Sequence, residues 1–392
     1  MVERIAKTNS TVNGEDIYKD IKFGAAEYVS FMKKLHKIFL NDRNSNTLCS
    51  PFAVFLILAV VAKAADDEIR QVVIDTLGVE SLERLEDVVA EACEFSNING
   101  EIVNQIARTS VWVKEGLKVN TELLKDMASS FNTDSFICEM GSDDTNEELK
   151  NWLNESTNGF LKDMTGSFTL PKDSVIDLLA TIYYASAWKN EFDESEKDII
   201  FNGVKAKNKI KAFEGRDWSD ILIGDNFTVY ERPLNEGSMF FILPNEESIP
   251  VEDIMADPKL FDMISDPYHY ENRVYADVFV KIPEFDVSSD GDITKEIKSL
   301  GLDILFDPVK CDFKNLNKSD VPVFVGNVIQ ASRIKVNKEG VEAATAVEMV
   351  CYEGCVPQFP EKKVEFILDR PFGYVLIGAG GVPVMSGIIN QL

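Results

Sequence analysis

Residues 340–352 constrain the fold more than any other stretch of this chain. They read Gly340, Val341, Glu342, Ala343, Ala344, Thr345, Ala346, Val347, Glu348, Met349, Val350, Cys351, Tyr352. Every second residue from Val341 to Cys351 is uncharged, and the near half of that face is small; Glu342 and Glu348 fall on the other face. Period two with one dry side is the pattern of a half-buried strand. So little bulk would anchor little of a core alone. The pattern suits a strand able to slide into a tight slot between strands that already exist.

The rest of the chain must supply that slot. Its 392 residues fit two domains or one large one, and 45% apolar residues are enough for a sizeable core. No internal repeat, low-complexity tract or Pro/Gly/Ser linker marks a boundary. The formal charge of −26 and a pI near 4.5 disfavour non-specific binding to DNA, heparin or acidic membranes. The longest apolar run, Val54 to Ala62, is too short to span a bilayer. Met1–Ser10 has no apolar signal core, so the protein is expected either to stay inside the cell or to have lost a leader. Sequons at Asn9, Asn154, Asn226 and Asn317 are about as many as chance provides and do not decide the compartment.

Six cysteines, at 49, 93, 138, 311, 351 and 355, form no Cys-x-x-Cys pair, and in a chain this long they do not suggest a disulfide scaffold. The two histidines are His36, on an amphipathic helical stretch, and His269, in the turn-like Asp266-Pro267-Tyr268-His269-Tyr270. A zinc site or a His-driven triad would have to use one of them. This scarcity argues against many hydrolase mechanisms, and neither a metal nor a cofactor is expected.

Helical spacing covers 24–40. Ser50-Pro51 sets a capping hydroxyl before a proline, which predicts a helix start, and Phe52 to Val61 reads as a buried helix. Further helices are predicted over Asp66–Leu77, ending at Gly78, over Ser81–Phe95, and over Glu147–Leu161 with Trp152 on its buried face. Val175–Trp188 is apolar nearly throughout and predicts a fully buried strand. Strands are also predicted over Ile102–Val113 (one strand or a pair), Met239–Leu243, Tyr275–Ile282, Val321–Val328, Val364–Leu368, Phe372–Ile377 and Val382–Ile389. Gly378-Ala379-Gly380-Gly381 reads as a hairpin connection; a phosphate-cradling role would need a following helix, and none is predicted. Helices first and strands later point to an α+β protein. The scattered final strands must pair with distant segments, implying one domain of high contact order.

Taken in order, these motifs resemble the serpin superfamily across nearly the whole chain. Asn46-Thr47-Leu48-Cys49-Ser50-Pro51 is similar to the family's lead into its buried second helix. Trp152, Thr157 and Gly159 keep a family spacing, as do Ile182-Tyr183-Tyr184 with Trp188 and Phe192. Ser238-Met239 through Leu243-Pro244, Ile282-Pro283 with Phe285, and Leu300-Gly301-Leu302 with Leu305-Phe306 (one residue short) follow. Val336-Asn337-Lys338-Glu339-Gly340 resembles the family's hinge, and Asp369-Arg370-Pro371-Phe372 its tail motif. Any one of these is weak; eight in the right order are specific.

The resemblance implies a single-domain serpin fold over 1–392, with helices packed around three β-sheets and an exposed reactive loop at about 340–360. It also implies a mechanism without a catalytic group. A protease attacks the loop as substrate and a covalent intermediate forms. The cut loop then enters the central sheet as a new strand, distorting the bound protease. Burying about six side chains at ~1–2 kcal/mol each, with a new ladder, makes a release on the order of ten kcal/mol plausible. The hinge is Gly340, Val341, Glu342, Ala343, Ala344, Thr345, Ala346 and Val347. Its inward face (Val341, Ala343, Thr345, Val347) is small, and 341–356 holds no proline, which favours an inhibitor over a non-inhibitory carrier, chaperone or storage relative. Lys338 stands where the family has Glu, and Val341 where it has Thr or Ser.

The sheet-opening region implied by the resemblance contains Ser50, Trp188 and Gln330. Ala53 replaces a usual Ser, Ala180 a usual Asn and Gln330 a usual His, so that polar cluster is thinned, with Ser50 and Gln330 left to pair. Family spacing from the hinge sets the cut between Gly354 and Cys355. A loop one or two residues shorter would put Glu353 or Tyr352 before the cut. Tyr352 suits a chymotrypsin-like pocket; with Glu353 before the cut, Tyr352 would occupy the subsite that papain-like cysteine proteases read most strongly. The target is thus a serine endopeptidase or, across classes, a papain-like cysteine protease. Cys351 and Cys355 bracket these bonds, as free thiols or as an oxidised ring that would tether both halves and block insertion. The acidic stretch 81–95 opposes heparin activation, and the protein is expected to act as a monomer. The resemblance leans towards an extracellular protein, with the cytoplasm as the alternative.

Overall fold

The computed structural model describes residues 2–8, 26–94, 97–100, 102–341 and 362–392. Among these residues the strands form three sheets around a helical layer, the α+β arrangement predicted. The first sheet runs Glu3–Ala6, Thr133–Cys138, Val103–Lys114, Ile176–Ala187, Gly340–Val341, Val325–Val336, Phe285–Asp292, with Asn97–Asn99 beside the third of these. The second runs Lys363–Ile367, Arg273–Pro283, Ala212–Ile223, Phe227–Pro233, Ser238–Pro244, Phe372–Ile377, Pro383–Ile389, Thr47–Cys49, with Asp193–Glu194 against Ala212–Ile223. The third is the pair Ile199–Asn202 and Lys207–Ile210.

Helix Pro51–Ala64 is the spine of the core. Ser50 caps it, its hydroxyl accepting the Ala53 N–H at 3.1 Å, and proline opens it, as the sequence predicts. It carries no polar stripe because it is wrapped on all sides: Phe52 through Ala62 are buried against both large sheets. Helix Ala26–Phe39 stacks Tyr28 and Phe31 edge-on against its Phe55. Helices Asp67–Leu77 and Leu82–Cys93 appear where predicted, the first closed by Gly78 at φ 75°.

Two predicted bounds shift for identifiable reasons. The helix expected over Glu147–Leu161 is Asp143–Ser156: Ser142 caps it four residues earlier, and positive φ at Asn158 and Gly159 ends it. The strand expected over Val321–Val328 is Val325–Val336. Pro322 has no N–H for a ladder, and the strand continues through the polar Ser332, Arg333 and Lys335, which an apolar run cannot signal. Residues 102–113 give one strand, Val103–Lys114, rather than a pair. Phe372–Ile377 and Pro383–Ile389 do form a hairpin, joined through the tight turn Ala379–Gly381.

A second, smaller apolar cluster lies on the far side of the second sheet, where Phe240, Ile242 and Val375 meet helices Val251–Met255 and Pro258–Ser265. His36 lies at its margin and is buried. Its ring nitrogens bond the Met255 carbonyl at 2.9 Å and the Ser386 hydroxyl at 2.8 Å, so it is structural, and burial pushes its pKa down to about 4. His269 is exposed in its predicted turn, beside Asp266 at 2.8 Å.

Candidate functional site

The site is the seam between the two central strands of the first sheet. Ile176–Ala187 and Val325–Val336 run parallel and pair only at one end, from Val325 opposite Ile176 to Ala331 opposite Thr181. From Ile182 to Ala185 and from Ser332 to Lys335, no ladder pairing crosses the seam among the described residues. At the other end Gly340–Val341 lies between the two strands, antiparallel to both: Gly340 opposite Ala187, Val341 opposite Ser186 and opposite Val336. Two paired ends thus flank a stretch whose rungs are not made across the seam.

The chain reaches that position through a tight turn built on Asn337. Its side-chain oxygen accepts the backbone N–H groups of Glu339 at 3.0 Å and Gly340 at 3.1 Å, and its own N–H donates to the Gly340 carbonyl at 3.1 Å. Trp188 locks the turn from the other strand. Its indole N–H donates to the Asn337 carbonyl at 2.9 Å and its backbone N–H to the Glu339 carbonyl at 3.0 Å. The Trp188 ring is buried edge-on against Phe192, 5.6 Å between centroids. Gly340 is required by close approach: a Cβ there would press on the Ser186 carbonyl oxygen and sit 2.7 Å from the Ala187 Cα. Val341 is buried beside it.

Of the three residues expected around the sheet opening, Trp188 holds the turn before Gly340 directly. Ser50 and Gln330 do not pair, contrary to expectation. The Ser50 hydroxyl is taken by the helix cap and by the Val384 carbonyl at 2.7 Å. Gln330 instead donates its amide to the Ser332 hydroxyl at 3.1 Å, while its buried carbonyl oxygen has no hydrogen-bond partner. Ser332, two residues along the same strand face, therefore stands in for the thinned cluster.

The paired end holds a carboxylate that the pattern reading passed over. Asp177 lies in the otherwise apolar Val175–Trp188 run and is buried. Its Oδ1 accepts the Asn327 N–H across the seam at 3.1 Å, whereas its Oδ2 has no hydrogen-bond partner. Gly326 leaves room for it: a Cβ there would stand 2.6 Å from the Ser174 hydroxyl and 2.8 Å from Asp177 Oδ1. Burial, with Asp292 and Asp173 nearby, outweighs these bonds and pushes the Asp177 pKa up to about 6. A lone acidic residue inside an apolar strand was the available signal. For Asn337 the signal was the Asn-x-x-Gly spacing.

The hinge residues Glu342, Ala343, Ala344, Thr345, Ala346 and Val347 lie outside the described residues. So do Tyr352, Glu353, Gly354 and Cys355 at the expected cut, and Cys351. Among the described residues, no three His, Cys, Asp or Glu side chains are grouped to hold a metal ion, and no helix is long and apolar enough to cross a membrane. Asn317 is buried with its amide on the Val321 carbonyl at 2.7 Å, so that sequon is closed in the folded chain.

A model of the serpin (serine protease inhibitor) family matches residues 27–387. The chain belongs to the serpin family. Serpin-Z1C of Triticum aestivum is 23% identical to this serpin over 95% of its length and 98% of the relative's. The native-state crystal structure of tengpin, a thermophilic serpin, superposes with a TM-score of 0.80 at 22% identity, covering 98% of this chain and 97% of the other. Human thyroxine-binding globulin in complex with its hormone superposes at 0.76 with 15% identity, covering 93% and 99%. At such identities the superpositions speak to the fold. Serpins are mostly inhibitors rather than catalysts, and members that are not inhibitors share the same architecture.

Proposed function

We propose that this serpin inhibits an endopeptidase as a suicide substrate: its loop is cut, the protease is trapped covalently, and the freed strand enters the first sheet. The observation that carries the reading is the seating of Gly340 and Val341 at one end of a seam whose next rungs are not made across it. Extending that register after cleavage would set Ala343 opposite Tyr184, Thr345 opposite Ile182 and Val347 opposite Ala180. Tyr184, Ile182 and Ala180 belong to the main core, so the dry face of the hinge would turn inward and Glu342 outward. The target is a serine endopeptidase or a papain-like cysteine protease. The cut falls between Gly354 and Cys355, with Glu353 and Tyr352 as the alternatives before it. The protein acts as a monomer of one domain. It needs no nucleic acid or membrane, given a net charge of −26, and no heparin, since helix Leu82–Cys93 is acidic as well. It works outside the cell, or in the cytoplasm if no leader is used.

Incubation with a panel of serine and cysteine proteases tests this. The expected results are an adduct that survives denaturing electrophoresis with a serine target, a released C-terminal fragment whose mass gives the cut, and a cleaved product far more heat-resistant than the intact chain. A cleaved product with unchanged melting would overturn the inhibitor reading in favour of a carrier or storage role.

A further inference from the structure

Strand Glu3–Ala6 adds itself to the outer edge of the first sheet, antiparallel to Thr133–Cys138, with Arg4 opposite Phe136 and a bulge before Ala6. Covering an open edge would need only backbone bonds. This strand does more, because its side chains reach past the sheet to helix Asp143–Ser156. The Arg4 guanidinium lies 2.9 Å from Asp134 and 3.1 Å from Glu155 of that helix, and 5.2 Å above the Phe136 ring. Lys7 bonds the other Glu155 oxygen at 2.5 Å. Asp134 has no exposed surface, and it also accepts the Thr8 N–H at 2.9 Å and the Trp152 indole N–H at 2.8 Å.

The helix held in this way covers the seam. Its Leu149, Trp152 and Leu153 share one apolar cluster with Leu179 from one seam strand and Ile329 and Ala331 from the other, and Val2 packs against the same cluster. The two strands cannot part without disturbing that cluster. The N-terminal strand therefore fastens a helix that itself bridges the two halves of the sheet.

We propose that Asp134, Phe136, Trp152 and Glu155 form a docking site for a cationic β-strand, filled in cis by residues 2–8, and that its occupancy delays opening of the central seam. Charge and shape choose the occupant. Arg108 comes no closer to Glu155 than 3.7 Å, so Asp134 and Glu155 still call for two cations spaced as Arg4 and Lys7 are, and Phe136 gives Arg4 a face to lie on. With the site empty, Asp134 would remain buried with the Trp152 indole N–H but without its cation, a costly arrangement that loosens the helix. The second half of the proposal rests on the metastability assumed above.

The experiment compares the intact chain with one lacking residues 1–8. Each is heated mildly without protease, and the conversion of uncleaved protein to a heat-resistant form is followed. The truncated chain is expected to convert about tenfold faster, the scale of one or two lost charge-assisted bonds. A synthetic peptide of residues 1–8 should bind it saturably and restore the slow rate, while a peptide with Glu in place of Arg4 and Lys7 should do neither. Should the truncated chain not fold, the full-length double variant Arg4→Ala with Lys7→Ala takes its place in the rate measurement, with the same acceleration expected. Conversion within twofold of the intact rate, or equal effects of the two peptides, overturns the proposal. Failure of the metastability reading is recognised separately: the intact chain, cut in its loop by a protease, would then show no rise in melting temperature.

Discussion

The Trp188 indole N–H and the Asn337 carbonyl lie 2.9 Å apart across the upper end of the central seam, so the residue that follows one seam strand holds the turn that follows the other. The same turn feeds Gly340–Val341 between those strands. Gly340–Val341 is positioned by polar contacts to a buried ring rather than by bulk of its own.

Trp188→Phe keeps an aromatic ring near Phe192 and removes the indole bond. It should cost about 1 kcal/mol of native stability in urea unfolding. Asn337→Ala should cost more, about 1–2 kcal/mol, because it frees two backbone N–H groups together. Equal stability of Asn337→Ala and wild type would mean that the turn is held by its neighbours alone.

Gly340→Ala places a methyl group against the Ser186 carbonyl and the Ala187 Cα. Backbone atoms cannot yield cheaply, so the two-residue strand should be expelled from the seam at a cost of about 1–3 kcal/mol. Protease titration should show more substrate-like turnover per trapped complex. The thermal gain on loop cleavage should shrink compared with wild type.

His36 makes the fold sensitive to acid. Its folded pKa is about 4 against an ordinary 6.5, so between these values the unfolded chain binds the extra proton. Its contribution is complete above pH 6.5 and is lost as pH falls towards 4, amounting to about 3 kcal/mol over that range. A His36→Gln variant should lack this slope. Urea midpoints measured at half-unit steps from pH 7 to 4.5 would reveal it as the difference from wild type.

Asp177 has the opposite sign. With a folded pKa of about 6 against 3.8 when unfolded, the native state binds the proton first, so stability rises as pH falls from about 6 towards 3.8. Wild type should gain about 2 kcal/mol on Asp177→Asn between pH 7 and 4. The variant should be the more stable of the two at neutral pH, read from the same urea series. A difference independent of pH would show that the carboxylate is not titrating inside the seam.

Local chemistry made part of this fold legible. Ser50-Pro51 announced a helix start, Gly78 a helix end, and the unbroken run around Ile182 a strand buried on both faces, because each signal acts within a few residues. Ala212–Ile223 was missed because one of its faces carries Arg216, Trp218 and Asp220 towards solvent, and its place is set by eleven pairings with Arg273–Pro283. Glu3–Ala6 is too short to show a period and exists through Asp134 and Glu155, far away in sequence. The hinge expected from the small alternating residues after Gly340 falls, beyond Val341, outside the described residues. Asn337 and Asp177 left local signals, an Asn-x-x-Gly spacing and a lone acid in an apolar run, but what they meet across the seam, like the Ser332 partner of Gln330, depends on strand placement that no local pattern encodes.

Phe372–Ile377 and Pro383–Ile389 stand inside the second sheet, between Ser238–Pro244 and Thr47–Cys49, rather than at its border. A nascent polypeptide still tethered to the ribosome by these residues has no central staves for that sheet, however complete its first three hundred residues are. Collapse of the second core must wait until residues 372–389 are free to pair, and until then the unfinished sheet offers open edges to any neighbouring chain. A chain cut short before Phe372 should therefore be insoluble rather than a smaller folded protein.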